Sequence, residues 1–196
     1  MTDLADNNFD YYILYKPFGV LSQFTDKLNR KTLAGFYDFP KDVYPIGRLD
    51  MESEGLLLLS NDKGLVDFLL NPLNSHEKEY YAQVEGIPVE ENIQKLREGV
   101  VIDDKMTLPA KAELVSEPDF PPRKPPIRYR RNAPVSWLKI TITEGRFRQV
   151  RKMTAKIGHP TLRLVRVRIK NLVLDSLKPG DVRKLTPEEV RELKKK

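Results

Sequence analysis

Three short segments concentrate side chains able to do chemistry. The first, Gly47-Arg48-Leu49-Asp50-Met51-Glu52-Ser53-Glu54-Gly55, sets Asp50 two residues after Arg48 and just ahead of the apolar run Leu56 to Leu59. A carboxylate so placed can be partly desolvated yet held ionised by the arginine. By itself, however, an Asp in a glycine-flanked loop fits a turn or cap better. The second, Glu77-Lys78-Glu79-Tyr80-Tyr81, places the ring and phenol of Tyr80 together on one face of a strand. Alone, that residue reads more simply as core. The third, Glu144 to Met153, is an arginine-dense turn running into a helix. Helix N-termini and arginines both favour anions, so phosphate binding is the better reading here even in isolation.

Composition limits what these segments can be. The chain of 196 residues has no cysteine, so it has no disulfide framework, catalytic thiol or thiolate metal site. His76 and His159 are too few for a histidine-rich metal cluster. Walker, Rossmann, GxSxG and HExxH patterns are absent, and neither metal nor cofactor is expected. No apolar run approaches the ~20 residues that span a bilayer. The polar, acidic start Met1-Thr-Asp-Leu-Ala-Asp-Asn-Asn is unlike a targeting segment. A soluble, cytoplasmic protein is expected, without a membrane or obligatory protein partner, and a monomer because no exposed apolar stripe calls for a dimer.

The net charge of +6 conceals an asymmetry. From Arg123 to Lys170 there are 15 Lys or Arg, most of them Arg, against the single acid Glu144. Such a stretch repels itself unless a polyanion neutralises it, and arginine forks suit phosphate and bases. The alternative is a solvated basic face matched to the acidic remainder.

The elements that must position these groups follow from patterning. Strands are expected at Tyr11–Tyr15, Leu56–Leu59, Lys78–Glu85, Val100–Ile102, Ala110–Val115, Trp137–Thr143 and Leu162–Ile169. Helices are expected after Asn61-Asp62 with Leu65, Phe68 and Leu69 on one face, after Pro88 with Ile93 and Leu96, and around Val150, Met153 and Ile157. Thr186-Pro187-Glu188-Glu189 has capping-box spacing ahead of a terminal helix. Six prolines in residues 117–134 predict a stiff, solvated basic loop. Strands outnumber helices and short turns join many of them. The predicted fold is α+β, with a mixed, mainly antiparallel sheet. Residues 1–9 read as a disordered tail and 186–196 as a C-terminal helix and basic tail.

Together the segments resemble the pseudouridine synthases that modify single uridines of ribosomal RNA. Gly47-Arg48-Leu49-Asp50, Ser53, Gly55, four aliphatics, Ser60 and Asn61 are similar to that family's signature. Lys16-Pro17-Phe18-Gly19 resembles its first motif and Lys78-Glu79-Tyr80 its lysine-x-tyrosine motif. Glu144 to Met153 resembles its arginine motif, and Leu162-Arg163-Leu164-Val165-Arg166 the strand that follows. The proline-arginine loop, and the short stretch before the first strand where many relatives carry an S4-type domain, resemble the type E branch acting on large-subunit (23S) rRNA.

The resemblance implies that the sheet is bent, that flanking helices and loops border a central RNA-binding cleft, and that residues 10–185 form a catalytic domain with a lobe on either side of it. It further implies cofactor-free isomerisation of uridine to pseudouridine. Asp50 matches the catalytic aspartate, acting near C1′ where positive charge develops. Tyr80 matches the active-site tyrosine that can receive a flipped base. Arg151 matches the arginine that pairs with the aspartate. Arg48, Lys78, Arg146, Arg148, Gln149, Leu164 and Arg166 are expected to contact RNA or substrate. In the absence of an S4-type domain, Arg123, Lys124, Arg128, Arg130 and Arg131 would add affinity for free or partly assembled 23S rRNA. The competing readings are a non-catalytic RNA-binding or ribosome-assembly protein on the same scaffold, and a synthase acting on 16S rRNA or tRNA.

Overall fold

The computed structural model describes residues 9–127 and 134–195. Among them are eleven strands: β1 (Tyr11–Lys16), β2 (Tyr44–Pro45), β3 (Glu54–Ser60), β4 (Lys78–Glu85), β5 (Val101–Ile102), β6 (Lys105–Met106), β7 (Lys111–Val115), β8 (Val135–Ile142), β9 (Thr161–Ile169), β10 (Leu172–Val173) and β11 (Val182–Lys184). Four α-helices accompany them: α1 (Lys63–Leu70), α2 (Glu90–Glu98), α3 (Gln149–Lys156) and α4 (Pro187–Lys194). The main sheet runs β11-β1-β3-β9-β4-β8-β7, with β2 on β3 and β10 on β9, while β5 and β6 form a separate hairpin. Every pairing in the main sheet is antiparallel except β3 with β9. The expected α+β, mainly antiparallel architecture is the observed one.

That parallel pairing decides where a cleft can form. It spans only Glu54↔Val165 and Gly55↔Arg166, after which the strands part. β2 then pairs with Leu59 and Ser60 at the far end of β3. The loop from β2 to β3, which carries Asp50, therefore sits where the two halves of the sheet diverge. Gly55 makes the junction possible. A Cβ there would lie 2.2 Å from the carbonyl oxygen of Arg166 and 2.6 Å from its nitrogen, and its φ of +106° disfavours a side chain. Beside it, Glu54 and Arg163 form a two-pronged ion pair with both distances 2.9 Å, and both side chains are buried.

Each half has its own core. β3 is covered on both faces, because its alternate side chains serve two clusters. Leu56 and Leu58 pack with Ile13, Tyr15, Leu65, Leu69, Val165 and Ile169. Leu57 and Leu59 pack with Tyr12, Leu14, Val20, Leu33 and Val43. Each fully buried leucine contributes roughly 1.5–3 kcal/mol. In the other half, Tyr80, Ala82 and Val84 of β4 and Leu138, Ile140 and Ile142 of β8 meet Ile93 and Leu96 of α2 and Val150, Met153 and Ile157 of α3. α1 starts at Asp62, whose side chain accepts from the Leu65 amide, and stops before Pro72.

The terminal helix α4 carries the expected capping box, buries Leu193 completely, and pairs Lys194 with Asp62 at 2.8 Å. The proline-rich stretch is an exposed loop with two anchors. Phe120 packs edge-on against Tyr81 and at a tilt against Trp137, while the Arg123 guanidinium lies 4.1 Å from the Phe18 ring centre. Phe120 and Arg123 thus anchor it to both halves of the sheet. The expected tail at residues 1–8, and Arg128, Arg130 and Arg131, lie outside the described residues.

Candidate active site

The diverging strands border a cleft of about 530 Å³. Asp50, Tyr80, Arg48, Lys78, Arg146, Arg148, Gln149, Leu164 and Arg166 all line it. Residues scattered over more than a hundred positions of sequence are thus brought to one place.

Asp50 is half-buried, and its carboxylate has neither hydrogen bond nor ion pair among the described residues, although its backbone is held closely. The Ser22 hydroxyl donates to the Leu49 carbonyl at 2.7 Å and accepts from the Leu49 amide at 3.1 Å. The Gly19 amide donates to the Met51 carbonyl at 2.8 Å, and the Ser53 amide to that of Asp50 at 3.0 Å. The loop is therefore fixed while the carboxylate is left free, as preorganisation of a reactive group requires. Sequence reasoning missed Ser22, which no motif marks.

The expected direct pair between Asp50 and Arg151 is not formed. Arg151 donates instead to the carbonyls of Glu52 at 2.7 Å and Thr161 at 3.2 Å, because burial leaves its guanidinium in reach of unpaired backbone oxygens. Burial pushes its proton affinity below the ordinary arginine value and nearby Arg148 adds to this, while Glu52 and Asp50 oppose it. Arg151 thus bridges the loop before β3 to the start of β9.

Beneath the loop lies a buried cationic floor. Lys16 is wholly inaccessible, its amine donating to the carbonyls of Val20 at 2.8 Å and Pro17 at 3.0 Å. Burial lowers its pKa to about 7, partly offset by Glu54 and Asp50, with Arg166 lowering it further. Burial likewise lowers Lys78, again with Arg166 adding to the effect. Tyr80 stands directly opposite Arg166 across β4 and β9, so both side chains face the cleft, with Leu164 on the same face. Lys16 carried a motif, but its place under the carboxylate could not be read from it.

The arginine-rich turn is largely committed to its own surroundings. Gln149 is buried, accepting from the Arg146 amide at 2.9 Å and donating to Glu144 at 2.6 Å, so its amide braces the turn. Arg146 reaches the carbonyls of Ile102, Lys105 and Met106 and clamps the β5–β6 hairpin. Arg148 pairs with Glu52 at 2.7 Å, and this contact holds the Glu52 carboxyl below its ordinary range. Phe147, between them, is 73% exposed at the cleft.

The wider basic stretch is likewise partly matched by acids. Arg168 pairs with Glu77 and Glu79, Lys139 with Glu113, Lys152 with Asp103 and Arg163 with Glu54. Arg123 donates to the carbonyls of Pro125 and Pro126, whereas Lys124 is exposed. Among the described residues no cluster of three or more His, Asp or Glu could hold a metal ion.

A mainly antiparallel sheet whose halves diverge around a half-buried carboxylate, an aromatic ring and buried basic side chains has the make-up of an enzyme's cleft. The chain matches the family of RNA pseudouridylate synthases over residues 10–156. It is 52% identical to the ribosomal large subunit pseudouridine synthase E of Vibrio parahaemolyticus, over 86% of this chain and 70% of that protein. To the protein of the same name from Xanthomonas axonopodis pv. citri it is 50% identical, over 85% of this chain and 89% of that one. A pseudouridylate synthase crystal structure superimposes with a TM-score of 0.79 at 29% identity, covering 94% of this chain and 74% of that one. The chain belongs to the RNA pseudouridylate synthase family and is an isomerase acting on RNA.

Proposed function

We propose that the protein isomerises a single uridine of 23S ribosomal RNA, with Asp50 as the catalytic carboxylate. The observation that carries this reading is the state of Asp50: half-buried in the cleft, unpaired, and held by a backbone locked on both sides. When the glycosidic bond breaks, positive charge develops at C1′, and a carboxylate without a competing partner is available to meet it. Tyr80 offers an aromatic face for the flipped base. Arg151 anchors the Asp50 loop through the Glu52 carbonyl. The large-subunit rRNA assignment is supported by the names of relatives sharing about half of their residues with this chain. No helix among the described residues is long and apolar enough to cross a membrane.

The test is tritium release from 23S rRNA transcribed with C5-tritiated uridine, comparing wild type with Asp50→Asn. Release approaching one equivalent per transcript, lost in the variant while RNA affinity is kept, is the expected result. Turnover by folded Asp50→Asn would remove Asp50 from its role. Release only from small-subunit or transfer RNA would overturn the 23S assignment.

A further inference from the structure

Arg166 is 4% exposed, too buried to serve as a contact for the RNA backbone. Its Nε donates to the Leu56 carbonyl at 2.8 Å. Nη2 is sealed from solvent and has no partner, while Nη1 is not sealed and has no acceptor among the described residues. A guanidinium keeps its charge at any working pH, so this is a buried cation with unmet donors. Leaving such donors unmet is unfavourable unless an occupant of the site supplies the acceptor. The residue lines the cleft directly across from Tyr80.

Cleavage of the N1–C1′ bond leaves both electrons on the base. The charge on N1 spreads onto the uracil carbonyl oxygens, which become strong acceptors. We propose that the unpartnered Nη1 of Arg166 donates to a uracil carbonyl oxygen and stabilises the departing base as an anion while Asp50 meets C1′. The N1–C1′ bond breaks towards the base, the base turns beneath Tyr80, and its C5 forms the new bond to C1′. The C5 proton then leaves, restoring the aromatic ring, and Arg166 neither gives nor takes a proton. Lys78 lines the same cleft and adds a second amine near the site. The geometry gives Arg166 a second task besides tying β9 to β3: it replaces the water that would solvate the leaving group outside the cleft. This inference rests on the proposed reaction at Asp50.

The test compares Arg166→Gln with wild type in single-turnover isomerisation of 23S rRNA transcripts. One transcript carries uridine and the other 5-fluorouridine, whose rearranged base has no C5 proton to lose and takes up water at C6 instead, so the C5-linked nucleoside of each is resolved chromatographically after nuclease digestion. Fluorine makes the departing base less basic and less dependent on help. With uridine the variant should lose roughly 10²–10³-fold, the scale of removing one preorganised donor to a developing oxyanion. With 5-fluorouridine the loss should be at least several-fold smaller, with RNA affinity and melting temperature near wild type. An equal loss on both RNAs would show that Arg166 is structural and overturn the inference. Should Arg166→Gln fail to fold, Arg166→Lys undergoes the same comparison, and an equal loss on both RNAs again overturns the inference. Wild-type inactivity on both transcripts would instead overturn the proposed function.

Discussion

Glu54→Gln tests what holds the two halves of the sheet in register around the cleft. The pair it breaks is almost wholly buried, with side-chain exposures of 3% for Glu54 and 7% for Arg163. Arg163 would keep its bond to the Pro121 carbonyl at 2.9 Å, but its charge would have no counter-ion. Removing one partner of a buried pair costs about 3–5 kcal/mol, because the surviving charge stays desolvated. For a chain of this size, about 2–4 °C per kcal/mol converts that to a fall in melting temperature of roughly 6–20 °C. The assay is thermal unfolding by circular dichroism, with urea unfolding as a check and turnover measured on the folded protein. The double replacement Glu54→Leu with Arg163→Met should recover most of the stability, since it leaves no charge stranded. A Glu54→Gln melting point within about 3 °C of wild type would refute the reasoning. The pair would then be solvated enough to be replaced by water, and some other contact would hold the junction.

Lys16 makes stability depend on pH in an alkaline window. Its amine is held at about 7 in the folded protein against an ordinary 10.5, so between these values the unfolded chain binds the extra proton and stability rises with pH. The rise between pH 7 and 9.5, followed by urea unfolding, should shrink in Lys16→Met; an unchanged slope would assign it to Lys78 and other lowered lysines. Gly55→Ala places a methyl group on the backbone of Arg166 at a positive φ, and should cost about 3 kcal/mol or more while abolishing turnover. Normal melting of that variant would mean that the strands can part without harm. Asp50→Asn should change stability by less than about 1 kcal/mol, because the carboxylate it removes has no bonded partner; a larger shift in a thermal melt would reveal a structural role. Replacing Lys124, Arg128, Arg130 and Arg131 with Ala should weaken RNA binding and flatten its salt dependence by about 0.7–0.9 per lost phosphate contact. An unaltered slope in a binding titration would place the loop off the RNA.

Much of this protein is written locally in its sequence. The alternation of Lys78 to Glu85, the aliphatic run Leu56 to Leu59, Asp62 ahead of α1 and the Thr186 capping box each specify an element through contacts within a few residues, and all are present in the fold. Asp50 and Tyr80 stand out in the sequence because their motifs are contiguous, and the fold places both at the cleft. What the sequence could not specify was the pairing of charges distant along the chain. The excess from Arg123 to Lys170 reads as one basic surface, yet tertiary structure turns Arg163 to Glu54, Arg168 to Glu77 and Glu79, and Arg166 into the cleft floor. Arg151 was expected on the Asp50 carboxylate and instead holds backbone carbonyls. Burial decides these outcomes. A charge leaving water takes the acceptor that the fold brings within reach, and that acceptor is set by how β3 meets β9 rather than by residues nearby in sequence.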